Sequence, residues 1–133
     1  MAIILDADVI IRGEKRIFSL QHWLSSQPNE KFEVAAITVA ELWHGVERAV
    51  GKQRAQRQQY LQRILTSLPV IPYTELTAYQ HARIWAELES SGKMTGFYDV
   101  IVAATAMERG SAVATFNRKH FTPINGLTVI EPT

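Results

Sequence analysis

Asp6, Asp8 and Asp99 are the only aspartates in a chain that carries ten glutamates. Most of the glutamates fall in polar, helix-like stretches, where a solvated face needs charge. Asp6 and Asp8 instead follow directly on the apolar run Ile3-Ile4-Leu5, Asp99 opens the uncharged stretch 100–107, and Glu41 stands early in the periodic stretch 39–50. In an open parallel sheet the carboxyl ends of the strands, and the helix N-termini that follow them, face one crevice. Acids from three distant parts of the chain are therefore expected to meet there. A carboxylate leaving a buried strand costs desolvation and repels like-charged neighbours unless a cation compensates. Without cysteine or a histidine pair at ligand spacing, such carboxylates make an oxygen-rich site suited to a hard ion, Mg²⁺ or Mn²⁺. Each acid also has an ordinary structural use. Asp99 would cap the helix after it, Thr38-Val39-Ala40-Glu41 has capping-box spacing, and Asp6 would start a turn. Taken together, these separate explanations weaken.

The elements that must hold these residues alternate between short apolar runs and longer amphipathic ones. Residues 3–5 form a compact buried strand, followed by a helical pattern in Ile17, Leu20, Trp23 and Leu24 that stops near Pro28. Residues 32–36 give a second strand. Val39, Leu42, Val46, Ala49 and Val50 then share one helical face, with Gly51 as its stop. Residues 53–68 continue as a polar helix ended by Pro69, and Val70-Ile71 is a brief strand. Glu75 to Ser91 is helical and closed by Gly92, and 99–109 is a largely buried helix capped by Gly110. Residues 112–114 and 127–130 supply the last strands. Strands that alternate with helices and lack hairpin turns imply parallel pairing and an α/β sandwich.

The chain has 133 residues, 47% of them hydrophobic and 20% charged, a composition that excludes disorder and fibrous repeats. The length suits a single domain spanning 1–133. The absence of cysteine excludes thiol catalysis, Cys-based zinc sites and disulfide staples, and makes a cytoplasmic location the default expectation. Stretches such as 34–40 and 100–107 fall far short of the ~20 residues a membrane-spanning helix needs, so no membrane association is expected. Met1 leads straight into the first strand, with no basic leader or cleavage site. A net charge of +1 makes no case for nucleic acid by itself, so any such case depends on where the charges lie.

Four blocks carry a resemblance. Leu5-Asp6-Ala7-Asp8-Val9-Ile10, Ile37-Thr38-Val39-Ala40-Glu41-Leu42, Tyr98-Asp99-Val100-Ile101-Val102-Ala103-Ala104-Thr105-Ala106 and Thr115-Phe116-Asn117-Arg118-Lys119-His120-Phe121 stand in the order and spacing of a PIN-domain ribonuclease. The chain most resembles the toxin component of VapBC-type toxin–antitoxin modules. That resemblance implies a three-layer α/β/α PIN-like sandwich around a central parallel sheet, and Mg²⁺- or Mn²⁺-dependent cleavage of RNA. It also implies neutralisation by a cognate VapB-like antitoxin, and a homodimer. Asp6, Glu41 and Asp99 match the three core acids, Asn117 the fourth catalytic position, and Thr115 a small polar residue beside the metal. Two positions depart from the pattern. Asp8 stands where Asn or Ser is usual, adding a possible oxygen donor or a turn former, and Asn117 brings no charge for a second ion.

In this reading Asp6 and Asp99 ligate the ion directly. Glu41 acts through a bound water or as a general base. Thr38, Thr115 and Asp8 support the ligands from behind. Arg118 and Lys119, with His120 beside them, are placed to touch RNA phosphates. The basic run Arg48, Lys52, Arg54, Arg57 and Arg63 reads as a solvated helix face. A different class of enzyme remains open on the first block alone. Asp6-Ala7-Asp8 fits the opening motif of haloacid-dehalogenase-type phosphatases, with Asp6 as nucleophile and Asp8 as proton donor. A catalytically silent PIN-like RNA-binding module is the third reading.

Overall fold

The computed structural model describes residues 1–133. The chain runs β1 (Ala2–Leu5), α1 (Ala7–Glu14), α2 (Leu20–Ser25), β2 (Lys31–Ala35), α3 (Ala36–Arg48), α4 (Gly51–Thr66), β3 (Val70–Ile71), α5 (Glu75–Ser91), α6 (Phe97–Arg109), β4 (Ala112–Ala114) and β5 (Val129–Ile130), with a 3-10 turn at Arg118–His120. All strand pairings are parallel, in the order β3-β2-β1-β4-β5. The chain first winds outward from β1 through β2 to β3, then returns on the other side of β1 as β4. That reversal opens a crevice at the carboxyl ends of β1 and β4, where ligands bind in open α/β sheets.

Strand alternation divides the interior in two. Ile3 and Leu5 of β1 and Ala112 and Ala114 of β4 pack with Val9, Ile10, Leu20, Trp23, Leu42, Val46 and Leu61. Ile4 and Val113 face the other way, against Ile84, Leu88, Val102 and Phe121. Helices α1, α2 and α4 thus cover one face and α5 and α6 the other, giving the three-layer α/β/α sandwich that the sequence implies. The uncharged stretch of α6 is buried without a break from Val100 to Ala106. Gly110, at φ 65°, ends that helix in the left-handed conformation that glycine adopts at least cost.

Five local expectations are corrected. A helix begins immediately after β1, at Ala7, because the Asp6 carboxylate caps it. Ile17 lies outside α2 and is exposed. Helix α3 starts at Ala36 with no side-chain cap, so Thr38 and Glu41 lie inside it and form no capping box. Gly51 does not stop α3, which ends at Arg48; it opens α4 at φ 58° after an extended Ala49-Val50 step. Asp99 is not a cap either, since α6 starts two residues earlier, with Gly96 at the cap position.

One buried charge ties the sheet to α6. Glu33 of β2 is 7% exposed. Its two oxygens accept from Arg109 Nε at 3.2 Å and Nη2 at 2.7 Å. Removing the guanidinium strands a buried carboxylate, whereas a neutral partner does not. Arg109→Met should cost about 2 kcal/mol in denaturant unfolding, since the pair is partly solvated. Adding Glu33→Gln to it should recover part of that loss.

Candidate active site

The site grows from the end of the central strand. The β1–β4 ladder continues one residue past β1, where Asp6 N–H donates to the Ala114 carbonyl at 2.9 Å. The Asp6 side chain is 5% exposed. Its Oδ1 accepts from Ala7 N–H at 2.9 Å, and its Oδ2 from the Thr115 hydroxyl at 2.9 Å. Thr115, directly after β4, is fully buried and accepts in turn from Asn117 N–H at 2.9 Å. A hydroxyl has one proton to give. The shorter contact assigns it to Asp6, and the Asp8 oxygens at 3.4 and 3.5 Å are neighbours of Thr115 rather than its main acceptors.

Asp8 has its own partner. Its Oδ2 accepts from Phe116 N–H at 3.0 Å, so this carboxylate fastens the loop after β4 to the first turn of α1. Arg12, one turn further along α1, stacks its guanidinium 4.4 Å above the Phe116 ring. The two remaining acids come from helices. Asp99 is the third residue of α6, and its Oδ2 lies 3.2 Å from His120 Nδ1. Glu41 lies in the second turn of α3, on a groove of about 300 Å³ lined by Ile37, Ala40, His44 and Tyr98. Both Glu41 Oε1 and Thr38 Oγ1 are buried without any hydrogen-bond partner. Asn117 is half-buried at the start of the 3-10 turn, and Arg118 and Lys119 are exposed on it.

A PIN-domain family model matches residues 3–125. The chain belongs to the PIN-domain family. It is 35% identical over 114 residues to the VapC ribonuclease Y4jK of Sinorhizobium fredii, covering 83% of this chain and 81% of that protein. Its fold superposes on VapBC2 of Rickettsia felis, solved bound to a DNA fragment from their promoter, with a TM-score of 0.91. That match has 24% identity and covers 98% of both chains. VapBC-5, a toxin–antitoxin system of Mycobacterium tuberculosis, matches with a TM-score of 0.78 and 26% identity over 98% of both chains.

The electrostatics of this PIN domain follow from burial and like charge. Asp6 is pushed up to about 7, first by desolvation and then by the charges of Asp8 and Asp99. Glu41 is likewise pushed up to about 7, by burial and then by Asp6 and Asp99. Burial also raises Asp8 and Asp99, with Phe116 N–H and Arg12 pulling the first back and His120 the second. As the side chains stand, no three Asp, Glu or His residues are close enough to ligate one ion together. A hydrated Mg²⁺ needs only one or two carboxylates and keeps several waters. Asp6 and Asp99, with the unpartnered Glu41 oxygen behind a water, fit that requirement.

Three residues of the basic run have partners within the protein. Arg54 binds Glu47 at 3.1 Å and the Val46 carbonyl at 3.2 Å, Arg57 binds Glu14 at 3.1 Å, and Arg63 sits over the Tyr60 ring. Trp23 is core, whereas Trp85 is exposed. The residue whose contact the sequence did not indicate is His120. Its position beside Arg118 and Lys119 suggested phosphate contact, and nothing in the sequence links it to Asp99.

Raised carboxylate values make the folded PIN domain hold more protons than the unfolded chain between roughly pH 4 and 7. Its stability without divalent ions should therefore rise as pH falls through about 7, and be lost again as pH rises. Melting curves from pH 8 to 5 should show that rise in the wild type. Asp6→Asn should start higher at pH 8 and respond less, because one buried charge is gone. A parallel pH dependence in both proteins would show that Asp6 is not strained by its neighbours.

Proposed function

We propose that this chain is a divalent-metal-dependent endoribonuclease of the VapC toxin type, acting as one PIN domain and held silent by a cognate VapB-like antitoxin. The observation that carries the metal dependence is the carboxylate pair Asp6 and Glu41. Asp6 is buried and Glu41 half-buried, both among like charges, and one Glu41 oxygen is buried without a partner. Only an added cation relieves that arrangement while leaving the acids ionised. The RNA substrate follows from the relatives, which are named as ribonucleases. The antitoxin follows from the toxin–antitoxin complexes that share the fold. A second copy of the chain and a cytoplasmic setting complete the reading.

Asp6 and Asp99 would hold the ion, Mg²⁺ or Mn²⁺. When bound, it neutralises charge on the scissile phosphate and lowers the pKa of the attacking water. Glu41 Oε1, buried and without a hydrogen-bond partner, is free to accept the proton of that water. Thr115 holds Asp6 in one rotamer through its 2.9 Å hydrogen bond. Thr38 offers a second unpartnered oxygen one turn before Glu41. Asn117 contributes an amide oxygen without charge. Arg118 and Lys119, exposed at the rim, attract the phosphates on either side. Asp8, engaged by Phe116 N–H, holds the loop rather than donating a proton, which is the opposite of what a phosphatase mechanism asks of it.

RNA cleavage with Mn²⁺, with Mg²⁺ and with EDTA tests this reading. Cleavage should need the ion, and Glu41→Gln should lower the rate roughly 10²- to 10⁴-fold, the usual worth of a general base. Asp6→Asn and Asp99→Asn should be at least as impaired. Asp8→Asn keeps an acceptor for Phe116 N–H and should retain most activity. Cleavage that persists in EDTA, or an inactive Asp8→Asn beside an active Asp6→Asn, would defeat the proposal.

A further inference from the structure

His120 belongs to the fourth block of the resemblance, but that resemblance assigns it no part in holding the metal. Its position is well defined, because the residue after it is anchored. Phe121 is fully buried in the core beneath α6, and its N–H closes the 3-10 turn on the Arg118 carbonyl at 2.9 Å. His120 N–H itself donates to the Asn117 carbonyl at 3.0 Å. The imidazole is thereby carried to Asp99 by a short, hydrogen-bonded turn rather than by a loose loop. Gly96 is also close to the carboxylate: a Cβ there would lie only 3.1 Å from Asp99 Oδ2. Asp99 Oδ2 thus has the imidazole at 3.2 Å and the backbone of the residue that precedes α6 nearby.

We propose that His120 is a positioning residue for the metal site: its Nδ1 donates to Asp99 Oδ2, fixing the carboxylate so that Oδ1 is left for the divalent cation. The inference rests on the metal-dependent reading above and adds a residue of this chain to it. The physical need is plain. Asp99 shares the crevice with Asp6 and Glu41, which repel it, so an untethered carboxylate would swing toward solvent before the ion arrives. An imidazole donor 3.2 Å from Oδ2 holds it in place. Partners that orient metal-ligating side chains typically carry about 10- to 100-fold of metal affinity. The imidazole is 46% exposed, so replacing it leaves no core cavity.

Calorimetric titration with Mn²⁺, at one pH and ionic strength, tests this on the full chain. The proteins are wild type, His120→Ala, His120→Phe, His120→Asn and Asp99→Asn, with melting temperatures confirming that each is folded. The Phe variant keeps the ring's bulk without a donor, and the Asn variant returns an amide donor near the place of Nδ1. His120→Ala and His120→Phe should each weaken Mn²⁺ about tenfold, His120→Asn should recover most of the loss, and Asp99→Asn should remove binding. Wild-type affinity in the Ala and Phe variants, beside a dead Asp99→Asn, would overturn the role of His120 and leave the metal reading intact. Tighter binding in those variants would overturn it as well, showing a competing cation instead of a guide. Equal losses in Ala, Phe and Asn would show that a donor at that place is not what matters. Wild type that fails to bind Mn²⁺, or Asp99→Asn that binds it equally, would remove the metal reading and this inference with it.

Discussion

The hydrogen bond from Thr115 to Asp6 joins the exit of the first strand to the exit of the fourth. Its 2.9 Å length sets the floor of the crevice between them. Asp6 is held on three sides at once, by the continuing ladder to Ala114, by the Ala7 N–H that its own carboxylate caps, and by this hydroxyl. A side chain so held cannot turn away from other charges. Burial and the charges of Asp8 and Asp99 raise its pKa, and the hydrogen bonds from Thr115 and Ala7 pull it part of the way back.

The other acids are arranged around that fixed point, each with a different means of tolerating its charge. Asp6 caps α1 and Asp99 lies in the first turn of α6, so both feel the partial positive charge of a helix N-terminus. Asp99 also has His120, and Asp8 has Phe116 N–H and Arg12. Glu41 has none of these. It stands in the second turn of α3, beyond the useful range of the dipole, with one oxygen buried and unpartnered. It is the acid of the group with the fewest compensating partners.

The architecture was legible because its signals are local and strong. Short apolar runs separated by amphipathic stretches gave the parallel sheet, and the uncharged α6 marked its own burial. Gly92 and Gly110 marked helix ends where they occur, both with positive φ. The misreadings share one cause, the start of a helix. Ala7–Glu14 was missed because a helix that begins on the residue after a strand leaves no polar linker to announce it. Thr38 and Glu41 have the spacing of a capping box, yet α3 starts at Ala36, so the same two residues become buried, unpartnered oxygens inside the helix. Gly51 looked like a stop but its left-handed backbone turns the chain into α4.

The sequence by itself determined the parallel α/β architecture and singled out Asp6, Glu41 and Asp99 as candidates for chemistry. Aspartates are few, Asp6 directly follows an apolar run, Asp99 directly precedes one, and Glu41 stands early in a periodic stretch. In a parallel sheet the strand ends share one edge. What only the tertiary structure decided is how each acid is held and at what cost in charge. Hydrogen bonding and burial depend on contacts such as Thr115 with Asp6, Phe116 with Asp8 and His120 with Asp99, between residues far apart in the chain. Periodicity carries the pattern of burial along one element, but it carries no information about which side chain from another element will arrive beside it.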